Sequence, residues 1–165
     1  MAGHAGFESP GTVAVGGRRL RYRKAIVATG SHPRLPPIAG LADVAPLTSD
    51  TVWGLARQPE ALAVLGGGAI GCELAQAFIR LGSRVALIEA GDRLLGHEEP
   101  RASELVASRL RAEGVEVWCG ARAECVRGSR DGGQIDLEHA DGPVRIEFDR
   151  LLVTSAYPDD LGPRP

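Results

Sequence analysis

Gly66-Gly67-Gly68-Ala69-Ile70-Gly71 constrains this chain more than any other stretch, because it joins two apolar segments of different period. Before it, Ala61-Leu62-Ala63-Val64-Leu65 is an unbroken apolar run, the pattern of a strand covered on both faces. After it, Ile70, Leu74, Phe78 and Leu81 recur at helical spacing. The glycines therefore sit in a strand-to-helix turn. Gly66 permits the tight turn, Gly68 lets a pyrophosphate approach the backbone, and Gly71 lets the helix pack close to the strand. Free amides at the helix start, with the positive end of its dipole, supply an anion site. Residues 84–88 read as a second apolar strand, and Glu89 ends it 18 residues past Gly71. A carboxylate there accepts both ribose hydroxyls of an adenosine. Strand, glycines, amphipathic helix, strand and terminal acid, in this order, predict a dinucleotide-binding unit.

The rest of the chain is consistent with a small α/β protein. Its 165 residues suffice for one core, and 44% hydrophobic with 24% charged residues is a soluble, globular balance. A formal charge of −2 gives no reason to expect nucleic acid or an anionic membrane as partner. No apolar run approaches the roughly 20 residues of a membrane helix, and no charged-then-apolar leader opens the sequence, so the cytoplasm is the expected compartment. Cys72, Cys119 and Cys125 have neither metal-ligand nor redox-pair spacing and read as small buried or half-buried thiols; no metal site is expected. Cys72 has the best claim to unusual chemistry, since a helix N-terminus lowers a thiol pKa, but a bound pyrophosphate would crowd it.

In chain order, residues 12–15, Gly16-Gly17 and residues 18–22 predict a β-hairpin closed by a glycine turn. Its arginines fit a solvated face better than a phosphate patch. Residues 24–28 read as a buried strand, followed by a proline-punctuated connection through Gly40. Thr48-Ser49-Asp50 predicts the cap of a short helix containing Val52, Trp53 and Leu55. Glu98-Glu99-Pro100 opens a second helix with Ala102, Leu105, Val106 and Leu110 on its buried face, and residues 115–118 form a third strand. Right-handed crossovers make these three strands parallel. Residues 121–126, 134–138 and 145–148 alternate apolar and polar between glycine turns, an antiparallel meander, and residues 151–153 return as one more apolar strand.

Val27-Ala28-Thr29-Gly30-Ser31 ahead of the glycine loop, with Gly3-His4-Ala5-Gly6-Phe7 upstream, resembles the middle of a pyridine nucleotide–disulfide oxidoreductase. The family includes dihydrolipoamide dehydrogenase, glutathione reductase and mercuric reductase. The resemblance runs from Gly3 to about Val153. It implies a Rossmann-like, three-layer nucleotide-binding domain with a parallel sheet and an antiparallel meander, flanked by remnants of an FAD domain. Residues 1–42 would be a partial FAD-domain segment, 43–149 the NAD(P)-binding domain, and 150–165 a return strand toward the FAD domain and a tail. By resemblance Thr29 and Gly30 lie near the flavin. Gly66, Gly67, Gly68, Ala69, Ile70, Gly71 and Glu89 form the nicotinamide-nucleotide site. Glu73 lies near the flavin–nicotinamide contact, and Arg122, through its backbone, lies beside the adenine. Glu89 favours NAD over NADP, because an acid repels a 2′-phosphate and the arginine at Arg93 is similar to one seen in NAD-users.

Other family landmarks are missing. The chain has no flavin-phosphate fingerprint, no Cys-x-x-x-x-Cys pair and no acid–base histidine domain. The expected Ala-Thr-Gly-Arg after the last strand is replaced by Thr154-Ser155-Ala156-Tyr157. The favoured reading is the NAD(H)-binding portion of a larger flavoenzyme, docking NADH for hydride transfer to FAD. On this reading it has no catalytic residue of its own, little hold on FAD and no disulfide reductase turnover alone. The alternative is a stand-alone, non-enzymatic NAD(H)-binding or regulatory module. Expected partners are the dinucleotide, and either the remainder of a flavoenzyme or a second copy paired through exposed strands at residues 12–28 and 151–153.

Overall fold

The computed structural model describes residues 2–28, 30 and 32–154, and the chain divides into two compact units, Met1–Ser31 and His32–Pro165. The first unit is a three-stranded antiparallel meander of β1 (Ala5–Ser9), β2 (Thr12–Val15) and β3 (Arg18–Arg21). The β2–β3 turn falls on Gly16 and Gly17, whose φ angles of 53° and 78° require glycine-like freedom. Residues 24–28 correct the strand expectation. They are irregular, with Ile26 94% and Val27 67% exposed. An apolar run becomes a strand only where neighbouring strands receive its amides and carbonyls, and among the described residues none does.

The second unit holds β4 (Leu47–Thr48), β5 (Ala61–Leu65), α1 (Ala69–Leu81), β6 (Arg84–Glu89), α2 (Pro100–Ala112) and β7 (Glu116–Cys119). The chain then continues through β8 (Arg122–Ser129), β9 (Gly132–Glu138), β10 (Val144–Phe148) and β11 (Arg150–Val153). A parallel sheet of order β4-β11-β5-β6-β7 lies between two covers: the two helices on one face and the β8–β9–β10 meander on the other. Strand alternation distributes the apolar residues between them. Leu62, Val64, Val85, Leu87 and Leu152 meet the helices, whereas Ala63, Leu65, Ile88, Leu151 and Val153 meet Val126, Ile135, Leu137 and Phe148 of the meander. Leu62, Leu87 and Leu152 are almost wholly buried, each contributing roughly 1.5–3 kcal/mol relative to an exposed side chain. Among the described residues no helix is long and apolar enough to cross a membrane.

β11 departs from expectation in a way that matters. Read as an exposed strand leaving for another half, residues 151–153 instead pair with β4 on one side and β5 on the other and are buried. Hydrogen bonds at both ends fix the register: Ala61 donates to Asp149 Oδ2 at 2.8 Å, and Thr154 donates to the Leu65 carbonyl at 2.9 Å. Leu152 and Val153 are thus paired on both sides.

The helices form where their signals lie, but their buried faces are rotated from those expected. α1 buries Gly71, Cys72, Leu74 and Ala75, leaving Leu81 65% exposed and Ile70 half-exposed. α2 starts at Pro100, buries Ser103, Ala107 and Leu110, and leaves Ala102 and Leu105 in solvent. Ser103 sits inward because its hydroxyl donates to the Leu94 carbonyl at 2.5 Å, a tie outside the reach of periodicity. Glu113, just past α2, accepts Arg80 of α1 at 2.6 Å, Arg109 of α2 at 2.5 Å and the Gln76 amide at 3.0 Å, clamping the helices together. The expected short capped helix is a single 3-10 turn, Val52–Gly54, because Thr48 is drawn into β4 and no side chain caps the turn.

Candidate functional site

The glycine loop crosses from β5 to α1 with every strut in place. Gly66 takes φ 117°, a conformation that L side chains rarely adopt, and donates to the Ile88 carbonyl at 2.8 Å. Its own carbonyl accepts the Thr154 hydroxyl at 2.9 Å. The Gly67 amide donates to Glu89 Oε2 at 2.6 Å, and the Gly67 carbonyl accepts the Leu95 amide at 2.8 Å. Leu95 reaches that carbonyl from a left-handed conformation, φ 51°, uncommon for a bulky residue.

The spacing of the glycines resolves into distinct physical reasons. A Cβ on Gly71 would overlap the Gly66 carbonyl oxygen and approach Thr154 Oγ1, so the helix can lie this close to the strand only without a side chain. A Cβ on Gly67 would come within 2.6 Å of Leu94 and 2.9 Å of Glu89. Gly68 is different. Its φ of −72° suits any residue, and a Cβ there would meet nothing within 4 Å. Neither conformation nor internal packing requires glycine at 68, and its exposed backbone faces open space. No side chain caps α1, and the first-turn amides of any helix have no intrahelical acceptor, so that space is edged by donors at the positive end of a dipole.

Glu89 closes the loop on its other side. Oε1 accepts the Gly91 amide at 2.7 Å while Oε2 accepts Gly67. Each oxygen keeps lone-pair capacity for a hydroxyl, so the carboxylate both braces the loop and remains an acceptor. Its main-chain carbonyl accepts Ala121 at 3.0 Å, which brings Arg122, the first residue of β8, to the same end of the sheet. Arg93 spends its guanidinium on loop carbonyls, Nη1 on Glu98 at 2.9 Å and Nη2 on Gly96 at 2.6 Å. Ala69 and Glu73, both exposed, border a groove of about 440 Å³ between α1 and α2.

Cys72 shows that position alone does not set a pKa. Although it lies in the first turn of α1, burial pushes its thiol up to about 11, reinforced by the charges of Cys119, Glu89 and Glu73. Its Sγ donates to the Gly67 carbonyl at 3.5 Å, so it is a neutral packing residue. Burial raises Cys119 and Cys125 as well. Among the described residues no group of three His, Cys, Asp or Glu side chains is arranged to hold a metal ion.

The structure thus gathers Gly66, Gly67, Gly68, Ala69, Ile70, Gly71, Glu89 and Arg122 at the carboxyl end of the parallel strands, with Glu73 on the exposed side of the helix that follows. Gly30 belongs to the other compact unit, and Thr29 lies outside the described residues, as do Ser155, Ala156 and Tyr157. Sequence reasoning missed Thr154 and Leu95, which hold the loop through contacts distant along the chain, and Gly91, whose amide holds the Glu89 carboxylate. A threonine directly after an apolar strand was the one available signal.

The sequence profile of the pyridine nucleotide-disulphide oxidoreductases matches residues 1–155. The chain belongs to that family. Among curated relatives it is 37% identical over 155 residues to mercuric reductase of Lysinibacillus sphaericus, covering 94% of this chain and 28% of the relative. It is 35% identical over 162 residues to dihydrolipoyl dehydrogenase of Thermus scotoductus, covering 93% and 34%. The solved structure of the HOCl-induced flavoprotein disulfide reductase RclA from Escherichia coli matches with a TM-score of 0.73 and 29% identity, over 93% of this chain and 35% of that one. The chain therefore spans about a third or less of these family members.

Proposed function

We propose that this chain is the NAD(H)-docking portion of an FAD-dependent pyridine nucleotide-disulphide oxidoreductase. The observation that carries the proposal is Gly68: a glycine unexplained by strain or packing, facing open space between helix amides and the Glu89 carboxylate. A pyrophosphate fits that space, its charge met by the α1 amides, and Glu89 accepts the ribose hydroxyls. Ala69 and Ile70 complete the helix start, Arg122 borders the adenine through its backbone, and Glu73 faces the nicotinamide end. Bound there, the nicotinamide supplies a hydride; the chain's own residues anchor and orient the carrier.

NAD is favoured over NADP. Glu89 places negative charge where a 2′-phosphate would sit, and the cation nearest in sequence, Arg93, is committed to the Gly96 and Glu98 carbonyls. FAD is a different case. Of its two candidate contacts only Gly30 is described, and it is exposed. With no Cys-x-x-x-x-Cys pair in this sequence, the chain alone is expected to show no NADH-driven disulfide reduction.

Calorimetric titration of the purified chain tests the reading. Saturable one-to-one binding that favours NADH over NADPH, and disappears in Gly68→Val, supports it. Equal or tighter NADPH binding overturns the selector role of Glu89, and absence of binding to both overturns the docking assignment.

A further inference from the structure

A second cavity lies at the edge of the parallel sheet, away from the glycine loop. It has a volume of about 470 Å³, with Pro46, Leu47 and Leu55 contributing apolar wall and Arg57, Arg130 and Arg150 contributing charge. Arg150 opens β11 beside Leu62, whereas the glycine loop follows the opposite end of β5. Among the described residues no acidic side chain lines this cavity.

These three arginines differ from the ion-paired ones, Arg19, Arg80, Arg109, Arg127 and Arg145, and they line one concavity. Arg80 and Arg109 share Glu113, and Arg127 and Arg145 share Asp136. Among the described residues Arg57, Arg130 and Arg150 have no carboxylate partner. Half-buried Arg150 is held by two carbonyls, those of Arg130 and, at 2.9 Å, Asp149. Carbonyls satisfy its hydrogen bonds but leave its charge uncompensated. The adjacent Asp149 makes no ion pair with it; its Oδ2 accepts the Ala61 amide.

We propose that this cavity is a second anion site, taking a small phosphorylated molecule with a short apolar portion. Three arginines lining one concavity match a dianionic oxyanion in charge, more than a single carboxylate would neutralise, and guanidinium groups bind such oxygens as forks. The proline and leucine wall receives the apolar portion, and the volume is that of a small-molecule pocket. The site uses no residue of the glycine loop, so it stands independently of the dinucleotide reading.

Amide-resolved NMR titration of the chain with phenyl phosphate tests it, with inorganic phosphate and benzoate in parallel. Saturable shifts are expected at Leu47, Leu55, Arg57 and Arg130, with inorganic phosphate acting on the same amides more weakly. Arg57→Gln with Arg130→Gln should weaken phenyl phosphate by about tenfold or more, two charge-assisted contacts being lost, without lowering the melting temperature. Arg150 is left intact because its hydrogen bonds are structural. Shifts confined to residues 66–71, unchanged affinity in the double variant, or benzoate binding as tightly as phenyl phosphate would each overturn the proposal.

Discussion

Glu89 accepts the Gly67 amide at 2.6 Å, so the acid that ends β6 physically holds the loop that ends β5. On the proposed reading, recognition and architecture share one carboxylate. Glu89→Ala leaves the Gly67 and Gly91 amides without their acceptor and is expected to cost about 1–3 kcal/mol of stability as well as NADH affinity. Glu89→Gln keeps one acceptor oxygen and should cost less on both counts. Denaturant melts beside calorimetry check this; an Ala variant as stable as the parent would remove the bracing role.

Gly71 and Gly68 should separate packing from binding. Ala in a helix interior ordinarily gains up to about 1 kcal/mol over Gly. At position 71 the new methyl collides with the Gly66 carbonyl, so Gly71→Ala should instead destabilise by about 1–3 kcal/mol or more. At position 68 the methyl meets nothing, so Gly68→Ala should leave the thermal midpoint unchanged or slightly raised while weakening dinucleotide binding. Equal thermal loss in both variants would contradict this division.

Acid should loosen the helix pair through Glu113. Its hydrogen bond with Arg80, aided by Arg109, lowers its pKa from 4.5 to about 2. A folded-state pKa below the unfolded one means stability that is fully present above about pH 4.5 and is lost as pH falls toward 2. Glu113→Gln should flatten the stability–pH profile across that window and leave it unaltered near neutrality apart from a constant offset. Asp136, lowered to about 2 by Arg145 and its neighbours, should give a parallel component in the meander, removed by Asp136→Asn.

Cys72 should resist alkylation. With its thiol at about 11, roughly a thousandth is thiolate at pH 8, and the side chain is buried. Iodoacetamide labelling followed by mass spectrometry should find Cys72 unmodified in the native chain and fully modified in denaturant. Fast native labelling would mean that the helix dipole outweighs burial after all.

What the sequence determined by itself is what short windows encode. The apolar runs at 61–65 and 84–88, the Gly66–Gly71 spacing, Pro100 at a helix start and the Gly16-Gly17 turn each constrain only a few neighbouring residues, and each produced its element. Three kinds of outcome waited for the tertiary structure. Residues 24–28 and 151–153 carry similar apolar patterns, yet only the second is a strand, because β4 and β5 flank it. Ile70, Leu81 and Leu105 are exposed while Ser103 is buried, because the rotation of a helix follows the surface it meets. Cys72 is neutral because its burial outweighs its place at a helix start, and Glu89 is a brace because Gly67, 22 residues away in sequence, comes within hydrogen-bond reach. Local propensity acts through bonds and turns along the chain. Strand order, burial and pKa are set by groups that only folding brings together.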